Sequence, residues 1–195
     1  MNILSRSLIL IFCLLSLSCS MTMPETRTYS IVIAPDKAES LAEESAQSIA
    51  IHIDSDDYLK QPYIVQRTSP FELDISHYSK WESSPYKIVR REFVRALSST
   101  GRFNAVKSTA STPKDFYLLA LELRHFELLK KEGKSFSSLE MDVILRSPEG
   151  AELYKSRISK ERAIEENDFR ALAEGLSTLL FEALNESIHA ITDNL

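Results

Sequence analysis

Apolar positions along this chain recur with two different periods, and the switches between them sketch an order of strands and helices. Residues 29–34, YSIVIA, are β-branched and apolar and stop at Pro35, which predicts a first strand. Residues 36–47 are acidic and rich in Ala and Ser, a connector or a weak helix. From Ser48 to Ile53 the pattern alternates, with Ile49, Ile51 and Ile53 on one face, as in a half-buried strand. Residues 63–67 (YIVQR) and 71–75 (FELDI) predict two further strands around Ser69-Pro70.

At Ser84-Pro85 the period changes. Ser84 suits an N-cap and Pro85 a first helical turn. Tyr86, Val89, Phe93 and Leu97 then recur at helical spacing, and Lys87, Arg90, Arg91 and Arg95 cover the other side up to Gly101. Residues 103–106 predict a short strand. Residues 115–129 predict a long one, apolar on both faces at first and polar on one face from Glu122 and Arg124 onward. A turn at 130–134 leads to clean alternation over 138–146, with Leu139, Met141, Val143 and Leu145 inward. Ser147-Pro148-Glu149-Gly150 is a turn, and residues 151–159 return as a third meander strand. Asn167 or Asp168 then caps a helix whose stripe includes Leu172, Leu176, Leu180, Leu184 and Ile191. Gly175 inside that stripe predicts close packing against a strand, because it costs about 1 kcal/mol of helix propensity.

The start of the chain follows neither period. Residues 7–19, SLILIFCLLSLSC, form an apolar run too short to span a bilayer as a helix, preceded by Arg6 and ending at Cys19. Leu15-Ser16-Leu17-Ser18-Cys19 resembles the lipobox of bacterial lipoproteins, with the small Ser18 beside the cut. Cys13 is a poorer candidate because bulky Phe12 precedes it. The expected organisation is a lipoprotein signal peptide over 1–18, a tether over 19–27 with a fatty acid such as palmitate on Cys19, and one domain over 28–195. Ser20 stands where an Asp commonly retains lipoproteins in the inner membrane, which favours the outer membrane.

Composition narrows the chemistry. The chain carries 23 Lys and Arg against 28 Asp and Glu, and loss of Arg6 with the signal takes the net charge from −5 to −6. An acidic chain is a poor match to nucleic acid, which needs a basic face. The only cysteines, Cys13 and Cys19, lie in the signal region, so the domain has no thiol for a disulfide, a thiolate metal site or thiol catalysis. The four histidines, His52, His77, His125 and His189, fall in different elements and lack the i, i+4 metal spacing. Asp54-Ser55-Asp56-Asp57 lacks the central Gly and terminal Glu of a calcium loop and reads as a solvated turn. With four glycines and no GxSxG elbow or phosphate-cradling loop, the chain predicts a non-enzyme without cofactor.

Several residues in order carry a resemblance: Tyr29, then Tyr58-Leu59, Ile64-Val65-x-Arg67, Glu72, Lys80-Trp81, and the helix opened by Pro85. The long strand over 116–126, its hairpin to Leu145 and the C-terminal amphipathic helix follow. Together these resemble the ABC-type transport auxiliary lipoprotein family, which includes the outer-membrane lipoprotein of the paraquat-inducible lipid-transport system. Lys80 stands where Arg is common, and one extra residue separates Trp81 from Pro85. The resemblance implies an α+β single domain, a mixed and mostly antiparallel sheet with two main amphipathic helices packed on it. It implies a non-catalytic partner, at the outer membrane through its lipid anchor, of a mammalian-cell-entry type substrate-binding subunit. A second copy of the chain, in a homo-oligomer, is a further candidate partner that the resemblance does not decide. The cargo would be lipid or another hydrophobic molecule. Trp81 and Arg67 are the interface candidates, Trp81 having core filling as its other role. A structural outer-membrane lipoprotein, such as a secretin pilot or a lipopolysaccharide-assembly partner, is the alternative.

Overall fold

One strand carries the sheet. Strand β6 (Phe116–Lys131) pairs along one edge with β7 (Lys134–Arg146), which pairs in turn with β8 (Glu152–Ile164), all antiparallel. Its other edge is shared. Strand β2 (Ser45–Ser55) runs parallel to residues 116–123, and β3 (Tyr63–Ser69) runs parallel to Leu128 and Leu129. Strand β5 (Phe103–Ser108) extends the sheet beyond β2, while β4 (Glu72–Trp81) and then β1 (Arg27–Tyr29) extend it beyond β3. The computed structural model describes residues 25–33, 45–109, 111–165 and 168–195. Among these the protein is a single α+β domain with an open, mixed, eight-stranded sheet.

Two helices, α1 (Pro85–Ser99) and α2 (Phe169–Asp193), cover one face and close a single core. The alternation in β7 sets that face: Leu139, Met141, Val143 and Leu145 are all fully buried. On α2 the predicted stripe of Leu172, Leu176, Leu180, Leu184 and Ile191 meets it. At Gly175 the helix comes close to the sheet. A Cβ built there would lie 2.1 Å from Ser137 Oγ, so no larger residue fits without a shift. The turn between β6 and β7 is held by Glu132 and Gly133, both at positive φ (53° and 70°), the backbone of a two-residue I′ hairpin.

Helix ends divide the capping work unequally. The Asp168 side chain accepts from Arg170 N at 2.8 Å, as expected of an N-cap; Asn167, the other candidate, lies outside the described residues. Ser84 occupies the N-cap of α1, but its carbonyl alone accepts, from Lys87 N and Ile88 N, and its buried hydroxyl has no partner.

Several strands differ from the sequence expectation: β4 runs on from 75 to Trp81 beside β3 and β1, and β7 starts at Lys134 rather than 138, directly after the tight turn. The first strand forms at 27–29 rather than 29–34, because the partner it finds is the end of β4, Ser79–Trp81, in parallel. The residues after it stay extended without a ladder: Ile31 and Ile33 fill the core, while Val32 N donates to Ser177 Oγ on α2. Strand β8 continues to Ile164, five residues past its expected end, since β7 offers it partners that far. In β6 the register shifts between Leu123 and His125, so Arg124 has no partner in β7. Such a bulge exchanges the faces of everything beyond it. Phe126 and Leu128 thereby join Leu119, Leu121 and Leu123 in the core, and Glu127 goes to the opposite face. The signal region, Cys19 and most of the 36–47 connector lie outside the described residues.

Candidate interaction site

The sheet face opposite the helices carries most of the charge of the sheet, and its most buried charged member is Glu127. This carboxylate, 1% exposed, gathers three donors that the chain delivers from separate places. Arg67 reaches it from β3 with Nε to Oε1 and with Nη2 to Oε2, the second at 3.3 Å. His125, two residues earlier on β6, places Nδ1 3.1 Å from Oε1 and 3.4 Å from Arg67 Nη2; a carboxylate only accepts, so the bond to Oε1 requires the Nδ1–H tautomer. The Tyr58 hydroxyl, in a short 3-10 turn at Asp57–Lys60, shares its proton between Arg124 O at 2.8 Å and Glu127 Oε2 at 3.2 Å. The bulge therefore makes the site. It turns Glu127 toward Arg67 and exposes the Arg124 carbonyl to Tyr58.

The charges follow this geometry. Burial opposes ionisation of Glu127, but hydrogen bonds from His125 and Arg67 outweigh it and hold the carboxyl below its ordinary range. Arg67 is raised in turn by its hydrogen bond to Glu127. Burial, and then the Glu127 charge, push the Tyr58 phenol well above its usual value, so it remains a neutral donor. A second carboxylate on the same face, Asp142, takes Arg157 Nε at 2.7 Å and Arg124 at 2.7 Å. The hydrogen bond from Arg157 leads in holding it below the usual carboxylate range, with Arg124 adding to it against a cost of partial burial. Among the described residues no group of three His, Cys, Asp or Glu is placed to hold a metal ion. Such a face can hold shape and charge for a partner.

Beside the charged face, the β3–β4 hairpin projects apolar side chains into water. Phe71 at its tip is 98% exposed, and Leu73 and Ile75 behind it are also exposed. Leu73 pairs with Arg67 and Ile75 with Val65, so both stand on the face that carries Glu127. On the other side of the molecule an open groove of about 800 Å3 runs between the segment around Val32 and α2, with Tyr29, Ala173 and Phe181 in its lining.

The candidates named from the sequence fall in three places. Arg67 is in the cluster. Trp81 is 1% exposed at the end of β4, edge-on to Phe126 with ring centroids 5.7 Å apart. Cys19 lies outside the described residues. The basic face of α1 is largely spent internally: Arg91 bonds Glu82 and Glu92, and Arg95 bonds Glu92 and the Ile33 carbonyl. Tyr58, His125, Glu127 and the exposed hairpin escape a reading by periodicity. Glu127 in an otherwise apolar stretch is the one available signal, since a buried carboxylate demands a partner.

A family model described as the ABC-type transport auxiliary lipoprotein component matches residues 29–188. No curated protein matches the chain in sequence. Among solved structures, one of a Xanthomonas campestris protein assigned to the family DUF330 superposes with a TM-score of 0.70 at 19% identity, covering 85% of this chain and 96% of that one. The structure of an uncharacterized protein superposes at 0.61 with 17% identity, covering 85% and 98%. That of a hypothetical protein from Chlamydia trachomatis superposes at 0.53 with 11% identity, covering 77% and 98%. At these identities the likeness shows the fold.

Proposed function

The chain belongs to the ABC-type transport auxiliary lipoprotein family, and from that premise we propose a lipid-anchored, non-catalytic component of an ABC transport system. The family match over nearly the whole described domain is the observation that carries this reading. In it residues 1–18 are removed, Cys19 carries the acyl chains, and the tether ends at residue 26, one short of the expected 27 because Arg27 already pairs with Ser79 in β1; the domain stands on the periplasmic side of the outer membrane. Each buried acyl methylene adds about 0.8 kcal/mol, so two or more chains make the attachment persistent. Among the described residues no helix is long and apolar enough to cross a membrane.

The partner in this reading is a mammalian-cell-entry type substrate-binding subunit, and the cargo is lipid or another hydrophobic molecule moving between the two membranes. Arg67 and its neighbours on the charged face are the docking residues we assign. Trp81 supports them from beneath by fixing the end of β4 against Phe126. Affinity capture with the full lipoprotein from crosslinked envelopes tests the reading. Recovery of the substrate-binding subunit, ATPase and permease together is expected; recovery of only envelope-assembly proteins would overturn it. The reading includes a homo-oligomer, for which native mass spectrometry in detergent gives the copy number; a monomer alone would remove that element.

A further inference from the structure

We propose that the tip of the β3–β4 hairpin, led by Phe71, sits in the bilayer that holds the acylated Cys19. This rests on the lipid-anchor reading above and adds to it a second, protein-made membrane contact. The direction of the tether carries the argument. Strand β1 is parallel to β4, with Arg27 opposite Ser79, Thr28 opposite Lys80 and Tyr29 opposite Trp81. Strand β4 runs from the hairpin tip inward, so the chain preceding Arg27 leads back toward the tip. Glu25 still borders the same depression as Tyr78 and Ser79, which shows the chain keeping to that side.

Length then sets how far the lipid can reach. Cys19 precedes Arg27 by eight residues, and Phe71 precedes Ser79 by eight. Fully extended, the tether spans about 26 Å. Strand β4 is shorter than its residue count suggests, because it passes five residues, Ile75 to Lys80, while β3 passes two, Val65 to Tyr63. That bulge removes up to about 10 Å from its reach. A coiled eight-residue tether spans about 16 Å, close to what remains of β4. Either span is long enough for the acyl chains of Cys19 to reach the level of the hairpin tip.

The tip has the chemistry for that position. Phe71 is almost fully exposed, Leu73 and Ile75 follow it, and Tyr78 stands further back, an order of apolar end and amphipathic ring that suits a membrane–water boundary. Phe71 lies in the turn, outside any ladder, so pairing of strand edges with a second copy would leave it in water. Glu72 and Asp74 on the hairpin are acidic, so the contact depends on apolar insertion and does not require anionic lipid.

The test uses the full lipoprotein carrying Phe71→Trp, reconstituted in phosphatidylcholine vesicles with brominated acyl chains. The one native tryptophan, Trp81, is buried and serves as the background in the unsubstituted protein. A blue-shifted emission from the introduced indole that brominated chains quench is expected, with Trp81 emission unchanged. The intact mass of the same preparation reports acylation independently. Acylated protein whose introduced indole stays unquenched overturns the hairpin contact and leaves the anchor standing. Protein without acyl chains overturns the anchor and the contact with it. A blue shift that grows with protein concentration and resists brominated lipid identifies a second copy as the occupant and overturns the proposal.

Discussion

Gly175 and Ser137 meet where the C-terminal helix crosses β7, with room for a hydrogen and no more: an added Cβ would be 2.1 Å from Oγ and 2.9 Å from Cβ of the serine. The same Ser137 hydroxyl donates to Leu172 O on the helix at 3.3 Å. Gly175→Ala therefore gains helix propensity but forces the two layers apart. The overpacking cost, about 1–3 kcal/mol, exceeds the gain of about 1 kcal/mol. Chemical denaturation should show a net loss that Ser137→Gly partly restores. A more stable Gly175→Ala would contradict the close approach.

Glu127 makes acid the weak side of this fold. A carboxyl whose pKa falls on folding contributes stability above its unfolded value, about 4.3, and loses it as pH drops through the lower folded value. Arg67→Ala removes the bidentate donor and leaves a buried charge with His125 and Tyr58 alone. The expected loss at neutral pH is about 2–3 kcal/mol, less than for a fully buried pair because Arg67 keeps contact with water. The Glu127 pKa then rises, so the acid loss begins at higher pH than in the unsubstituted protein. Urea titrations at several pH values read both effects; superimposable pH profiles would contradict the assignment.

Trp81 fills space without using its indole N–H, which is buried without a partner. Trp81→Phe thus removes volume but strands no hydrogen bond, and should cost far less than Trp81→Ala, for which about 3–5 kcal/mol is expected. Thermal melts separate the two. Equal losses would mean that the N–H is satisfied in solution.

The two helix starts predict opposite responses to the same change. Asp168→Ala deletes a cap that binds Arg170 N and should cost about 1 kcal/mol. Ser84→Ala deletes a buried hydroxyl with no partner and should be neutral or slightly stabilising. Denaturation midpoints of the two variants decide it; a larger loss at Ser84 would overturn the distinction.

Much of this architecture is legible along the chain. The inward positions of β7 and the stripe of α2 follow from periodicity because both bury one face continuously along their length. Gly175 announces its own close contact, since nothing else justifies glycine inside a helix. The charged cluster is not legible, for a physical reason: strand faces depend on parity, and one extra residue at Arg124 reverses them. Before the bulge the odd positions of β6 face the core; after it Phe126 and Leu128 do. No local signal marks that step, so Glu127 and Arg67, sixty residues apart, cannot be paired from spacing. The first strand departs from its apolar run for a related reason. Apolar residues 31 and 33 are buried, but burial alone does not require a ladder.

The parallel pairing of β1 with β4 also defines a load path. A pull on a membrane tether enters at Arg27 along the strand axis, so the three-residue ladder is strained in shear, with its bonds loaded together instead of peeling one after another. Behind it Glu82 N holds the Tyr29 carbonyl at 2.8 Å, and Ile31 and Ile33 are wedged in the core. In the lipid-anchored reading we propose, the first residues of the domain thus act as a mechanical clutch, passing force from the anchor to the whole sheet before any strand is drawn out.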